Sequence, residues 1–252
     1  MINIKKLTKS FENNLVLKGV DLTIEKGDTM VVMGASGCGK SVLLKLIIRL
    51  LDPDSGEIWI DGKEITHLSE KQMDEVRKDI GMVFQSSALF DSLTVGENVG
   101  FCLVRRTTMT KSEIAKTVAE KLEMVGLKGI ENMMPSDLSG GMRKRVSLAR
   151  AISMNPQIIL YDEPTTGLDP LMAEEINILI KKLHDELGVT SIVVTHDMKS
   201  AFSVATKMAM LKNGEIIAVG TPNEMRSNSQ PWVFDFINTG IFCDDPNKLT
   251  TR

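Results

Sequence analysis

Apolar residues follow two different patterns along this chain, and the two alternate. The runs Ile158 to Tyr161 and Ser191 to Val194 are too short for helices and have no polar face. They predict strands buried on both sides, as in a parallel sheet. Thr29 to Met33 is a third compact run, and it ends at Gly34. Helical period appears instead over 110–125, where Ile114, Val118, Leu122 and Val125 share one face. Thr110 and Glu113 have capping-box spacing there, and Gly126 stops the helix. A second helix is predicted after Asp169-Pro170, an N-cap followed by proline at the first helical position. Its buried stripe is Ile176, Leu179, Ile180, Leu183 and Leu187, and Gly188 ends it. Strands alternating with helices imply an α/β core. Residues 1–33 read as short strands, with imperfect alternation from Leu15 to Ile24, and Gly56 to Ile65 reads as a hairpin turning at Asp61-Gly62. From about Ser87 to Arg150 helix signals dominate, so that span reads as a helical insertion. No internal repeat or low-complexity segment is present.

Composition narrows the function classes. The chain has 252 residues, 42% hydrophobic and 25% charged, which excludes collagen-like, disordered and disulfide-scaffold proteins. Lys+Arg number 30 against 33 Asp+Glu, a net charge of −3, so nucleic acid is not the expected main partner. Cys38, Cys102 and Cys243 are widely spaced, fit neither a zinc pattern nor a disulfide framework, and suit a reducing compartment. The N-terminus has no signal-peptide pattern. The most apolar stretch, Val42 to Leu51, is interrupted by Lys45 and Arg49, so no membrane-spanning segment is expected.

Two segments carry chemistry. Gly34-Ala35-Ser36-Gly37-Cys38-Gly39-Lys40-Ser41 fits G-x-x-x-x-G-K-S/T, after a predicted buried strand and before a helix starting near Lys40. Glycines let the backbone turn its N–H groups onto phosphate oxygens, and the helix N-terminus adds partial positive charge. Lys40 supplies a charge for the β- and γ-phosphates, and the Ser41 hydroxyl is offered to Mg²⁺. Cys38 reads as a small filler. The second segment, Ile158 to Glu163, is a buried strand ending in two acids, at the sheet edge where such sheets bind ligands. Asp162 suits Mg²⁺. Glu163, expected on the opposite side of the strand, suits a general base that polarises the attacking water.

Further motifs identify a family resemblance. Leu138-Ser139-Gly140-Gly141-Met142 precedes RKRVSLARAI, and Gln85 follows GMVF. Gly167-Leu168-Asp169 follows the acidic pair, His196 follows SIVVT, and Phe11 lies 29 residues before Lys40. In this order and spacing they resemble the ATP-binding cassette (ABC) ATPases over roughly residues 1–225. The resemblance implies a RecA-like P-loop core with an antiparallel β subdomain and a helical subdomain at about 87–150, followed by a tail over 226–252. It implies a head-to-tail homodimer holding two ATP molecules with Mg²⁺. Phe11 would stack on adenine with Val16 nearby, and the loop from Gly34 to Val42 would hold the phosphates. Gln85 would sense Mg²⁺ and the γ-phosphate beside a membrane subunit. Ser139, Gly140 and Gly141, flanked by Leu138 and Met142, would contact the opposite subunit's ATP. Asp169 would link the two sites, and His196 would be the γ-phosphate switch. The run Arg143, Lys144, Arg145 reads as a solvated helix face, with a nucleic-acid patch as the weaker alternative.

Met142 stands where the family's signature has Gln. That departure is typical of the ATPases of phospholipid-transport systems that use mammalian-cell-entry (Mce) domain proteins. FQSSALFDSLTVGENVGF and the tail Pro231-Trp232-Val233-Phe234-Asp235-Phe236-Ile237 are similar to the same subfamily. The resemblance therefore implies an ATPase on the cytoplasmic face of the inner membrane, driving an integral permease with an Mce-domain protein. An importer for small solutes such as amino acids is the alternative, and a soluble ABC ATPase without a transport role is a third. The apolar tail, with Trp232, Phe234, Phe236, Ile237, Ile241 and Phe242, either folds back on its own core or docks on a partner. Asp244 to Arg252 read as disordered.

Overall fold

The computed structural model describes residues 2–12 and 14–239. The chain divides into two compact units: the described part of Met1–Leu68 with Val193–Arg252, and Ser69–Ile192.

The first unit begins with β1 (Ile2–Phe11) and β2 (Asn14–Ile24), then β3 (Thr29–Met33), α1 (Lys40–Ile47), β4 (Ser55–Ile60) and β5 (Lys63–Glu64). Strands β2-β1-β4-β5 form an antiparallel sheet in that order. The first two strands are long, 10 and 11 residues, where the sequence predicts short ones. Bulges let them stay long. Ile4 pairs with Leu22 and Leu7 with Val20, so β1 gains a residue there, and Lys6 takes a left-handed φ of 47°. Thr8 then pairs with Lys18, so β2 gains one in turn at Gly19, φ 85°. Each bulge resets which side chains face inward. Ile2, Ile4 and Leu7, and Leu17, Val20, Leu22 and Ile24, are all buried despite the broken alternation. The predicted hairpin is present: Ile60 pairs with Lys63, and Asp61 and Gly62 both have positive φ, 48° and 78°, as a tight two-residue turn requires.

The second unit contains α2 (Glu70–Lys78), β6 (Ile80–Val83), α3 (Val95–Arg106), α4 (Lys111–Met124), a 3-10 turn at Pro135–Asp137, α5 (Gly140–Ala151), β7 (Ile158–Asp162) and α6 (Pro170–Leu187). Strands β6 and β7 are parallel, Ile80 opposite Ile158 and Val83 opposite Tyr161. All five residues of β7 are buried, the apolar run Ile158 to Tyr161 as expected for a strand covered on both faces, and Asp162 with it. Between 87 and 150 the structure is helical, without a strand. The capping box of Thr110 and Glu113 starts α4. Asp169 caps α6 through the N–H groups of Leu171 and Met172, and Gly188 ends it at φ 62°. Of the stripe predicted on α6, Ile176, Leu179, Ile180 and Leu183 are buried, while Leu187 in the last turn is half-buried.

Strand β8 (Thr190–Thr195) runs through the boundary, and its six residues are all buried. The first unit resumes with α7 (Met198–Val204), β9 (Lys207–Lys212), β10 (Glu215–Gly220), α8 (Pro222–Arg226) and α9 (Pro231–Thr239). Strand β9 lies parallel to β3, with β10 antiparallel on its other side. Helix α9 buries Val233 and Phe236 in its own unit and leaves Phe234 exposed, and Lys212 lies over the Trp232 ring. The described part of the tail therefore folds back on the chain. Ile241, Phe242 and the segment from Asp244 to Arg252, like Cys243, lie outside the described residues. Among the described residues no helix is long and apolar enough to cross a membrane.

Candidate nucleotide site

The phosphate loop joins β3 to α1 within the first unit. A side chain at Gly34 would put its Cβ 2.3 Å from the Leu211 carbonyl oxygen and 2.6 Å from Cys38 Sγ. The loop therefore leaves β3 through a gap that only glycine fits, and the half-buried thiol of Cys38 fills the space above it. Gly37 and Gly39 take left-handed φ values of 80° and 107°. Lys40 is only 5% exposed, and its Nζ donates to the carbonyls of Gly34 at 2.9 Å and Ala35 at 3.0 Å. The N-cap of α1 is Gly39, which brings no side chain to the first-turn N–H groups. A helix start with that arrangement suits an anion. Ser36 and Gly37 are exposed at the tip, and Ala35, Ser41 and Val42 are half-buried. Val16 packs against the loop: a Cβ on Gly39 would approach its Cγ1 to 3.1 Å. Phe11 is exposed at the end of β1, with the Lys9 ammonium 5.6 Å from its ring. His196, also in this unit, is exposed just after β8 and just before Asp197, the N-cap of α7.

The two carboxylates lie in the second unit. Asp162 ends β7 and Glu163 follows it, 5% and 7% exposed. The expected separation by strand alternation is not what divides them. The strand stops at Asp162, and Glu163 adopts a left-handed φ of 47°, uncommon for a residue with a side chain. The main chain therefore turns at Glu163, just past the end of the strand. Thr166 Oγ1 donates to Glu163 Oε2 at 3.2 Å.

Gln85, the Ser139–Met142 segment and Asp169 belong to the same unit. Ser139 is the N-cap of α5, its Oγ accepting from Met142 N–H at 3.2 Å, and Ser139 and Gly140 are exposed. Leu138 is buried beneath them and Met142 is half-buried. A Cβ on Gly140 would meet Leu168 at 3.7 Å, so this helix start sits against the segment that leads into Asp169. Asp169 is itself exposed.

The basic run on α5 is not a solvated face. Arg143 is exposed, but Lys144 is buried and Arg145 half-buried. Lys144 Nζ donates to the Gln85 main-chain oxygen at 2.5 Å. Burial holds its pKa below the ordinary lysine value, while the fields of Asp162 and Glu163 push it upward. Arg145 donates to the Val125 carbonyl at 2.9 Å and pairs with Glu175 at 2.8 Å. Further along, Arg150 donates to the carbonyls of Ala88 at 2.7 Å and Ser87 at 2.9 Å. These two residues have φ of 48° and 65°, a strained pair costing about 1–3 kcal/mol each unless held. Fully buried Asn98 holds the far end of the loop, donating to the carbonyls of Phe90, Leu93 and Thr94. Helical period puts Lys144 on one face with Gly141, Leu148 and Ala151, but it does not mark the carbonyl that Lys144 meets. The contacts of Arg150 and Asn98 have no comparable signal.

Ser41 in the first unit, and Gln85 and Asp162 in the second, carry hydroxyl, amide and carboxylate oxygens, hard donors of the kind that suit Mg²⁺.

A family model described as ABC transporter matches residues 17–166. The intermembrane phospholipid transport system ATP-binding protein MlaF of Haemophilus influenzae is 41% identical over 237 residues, covering 94% of this chain and 90% of that protein. The sulfate/thiosulfate import ATP-binding protein CysA of Synechococcus elongatus is 41% identical over the same length, 94% of this chain and 67% of that protein. A solved dimeric structure of a post-hydrolysis state of the ATP-binding cassette MJ0796, bound to ADP and Pi, matches with a TM-score of 0.81 at 39% identity, over 88% of this chain and 98% of that one. The chain belongs to the ABC transporter family and is an ATP-binding, ATP-hydrolysing subunit of a transporter.

Proposed function

We propose that the chain powers phospholipid transport as a homodimer on the cytoplasmic face of the inner membrane, bound to an integral permease and working with an Mce-domain protein. The observation that carries the ATPase chemistry is the loop closed by Lys40 on Gly34 and Ala35. The cargo rests on the relative whose name specifies phospholipid and on Met142 in the signature position. The ATPase domain in this reading spans 1–225, with the helical subdomain at about 87–150 and the tail at 226–252.

Each site residue then has one task. Phe11 stacks on adenine and Val16 packs beside it. The amides of Gly34 to Ser41, with Val42 behind them, hold the phosphates, and Lys40 neutralises the β- and γ-oxygens. Ser41, Asp162 and Gln85 would hold Mg²⁺, which supplies charge neutralisation on the phosphates when bound. Glu163 takes a proton from the attacking water as the new O–P bond forms at the γ-phosphorus; the bond to the β-phosphate oxygen breaks, leaving ADP and inorganic phosphate. His196 touches the γ-phosphate and reports its presence. Ser139, Gly140 and Gly141 of one subunit face the γ-phosphate held by the other, and Asp169 joins the two sites. ATP thus closes the dimer and hydrolysis releases it.

The permease docks beside the loop after Gln85. A cavity of about 440 Å³ lies there, lined among others by Phe84, Ala88, Phe90, Phe101, Arg106 and Met154. The equal identity to a sulfate/thiosulfate importer subunit favours a second reading, the ATPase of a small-solute importer. Pull-down of the tagged chain from detergent-solubilised native membranes, with mass spectrometry and lipid extraction, separates them. A permease with an Mce-domain protein and phospholipid supports the first; a small-solute permease replaces it with the second.

A further inference from the structure

Helix α5 reaches the loop after β6 with two cations. Arg150, in its last turn, holds the carbonyls of Ser87 and Ala88, and Lys144, in its first half, holds that of Gln85. The first grip supports a strained pair of residues. The second is different. Lys144 is 5% exposed, so an amine has been taken out of water to meet one main-chain oxygen. That oxygen belongs to the residue whose side chain is read as the Mg²⁺ and γ-phosphate sensor. Asp162 and Glu163, also buried, lie within electrostatic range of the same ammonium. Lys144 lies five positions after Ser139, the exposed N-cap of the same helix.

We propose that Lys144 is a positioning residue: its hydrogen bond to the Gln85 carbonyl anchors that main chain to the signature helix and aims the Gln85 side chain at bound Mg²⁺ and the γ-phosphate. The inference rests on the sensor reading of Gln85. A lysine has the length for this from a helix packed behind the loop, and its charge is compatible with two carboxylates nearby. Glutamine at the same position is about one bond too short to reach the oxygen, and methionine has no donor.

The test uses the full chain and measures ATP affinity by displacement of a fluorescent nucleotide, once in EDTA and once with excess Mg²⁺. The ratio of the two dissociation constants reports the gain from Mg²⁺. Lys144→Met and Lys144→Gln are expected to lower that gain about fivefold or more while affinity in EDTA stays within about twofold, the size expected for losing one charge-assisted hydrogen bond. Lys144→Arg, which keeps donor and charge, is expected to restore it. A wild-type gain in both the Met and Gln variants, with Gln85→Ala lowering it, overturns the proposal and leaves Gln85 as the sensor. A wild-type gain in Gln85→Ala overturns the sensor reading and the proposal with it. A fall in melting temperature without a change in the gain makes Lys144 a structural residue and also overturns it.

Discussion

The Lys40 ammonium lies 2.9 Å from the carbonyl oxygen of Gly34, the residue that opens the loop Lys40 closes. One side chain therefore joins the end of β3 to the start of α1. Its charge is held at the place where the left-handed Gly37 and Gly39 bend the chain. Loop shape and phosphate attraction depend on the same residue.

Lys40→Ala removes both. Affinity for ATP is expected to fall about 100-fold or more, the loss of charge-assisted contacts to phosphate. Titration with a fluorescent ATP analogue checks this, and wild-type affinity would refute the assignment of the loop.

Glu163→Gln keeps the shape of the side chain and removes the base. Turnover is expected to fall by about 10²–10⁴-fold with ATP still bound. Size-exclusion chromatography at saturating ATP should show the dimer. A chain that stays monomeric there contradicts the role given to Glu163.

Arg150→Ala leaves the carbonyls of Ser87 and Ala88 without their donor, against left-handed backbone. A loss of about 1–3 kcal/mol is expected, which lowers the melting temperature by roughly 3–10 °C in a chain of this size. Calorimetry reads it, and hydrogen exchange should rise in peptides covering 85–90. An unchanged melting temperature would show that the strained pair holds itself.

Acid should weaken the helix starts in a defined direction. The Thr110 N–H, and then its hydroxyl, hold the Glu113 carboxyl below the usual carboxylate range, and Thr221 does the same for Glu224. A pKa lowered by folding means stability that is present above the unfolded value and lost as pH falls through the folded one. The melting temperature should therefore be insensitive to these caps down to about pH 5 and decline below about pH 4. Glu113→Gln keeps an acceptor that does not titrate. It should be slightly less stable than the wild type at neutral pH, lose less on acidification and converge with it at low pH, and an identical acid decline would exclude the cap as a contributor.

Much of the architecture could be read along the chain because its causes are local. Asp61-Gly62 needs positive φ at adjacent positions, Thr110 and Glu113 cap one turn, and Gly34 to Ser41 carry their requirement for tight backbone in eight consecutive residues. The same holds for β7, whose unbroken apolar run announces burial on both faces. The bulges at Lys6 and Gly19 are a partial case: imperfect alternation betrays an irregularity, but only the pairing partners say where the extra residue goes.

Lys144 and Arg150 lie beyond that range. In one dimension Lys144 belongs to a basic run and Arg150 is a lone cation after it, and such residues are usually solvated. Their donors go to carbonyls 59 and 62 to 63 residues away. Glu163 belongs with them, because the strand stops before it and its left-handed backbone, which alternation does not foretell, carries it. Main-chain carbonyls are the same in every residue, so a sequence cannot mark which of them a distant cation will meet. Capping, glycine turns and apolar period act over a few residues and are written in residue type. The burial of Lys144 and the grip on the Gln85 loop exist once packing has brought α5 against that loop and removed the water that would otherwise have satisfied both.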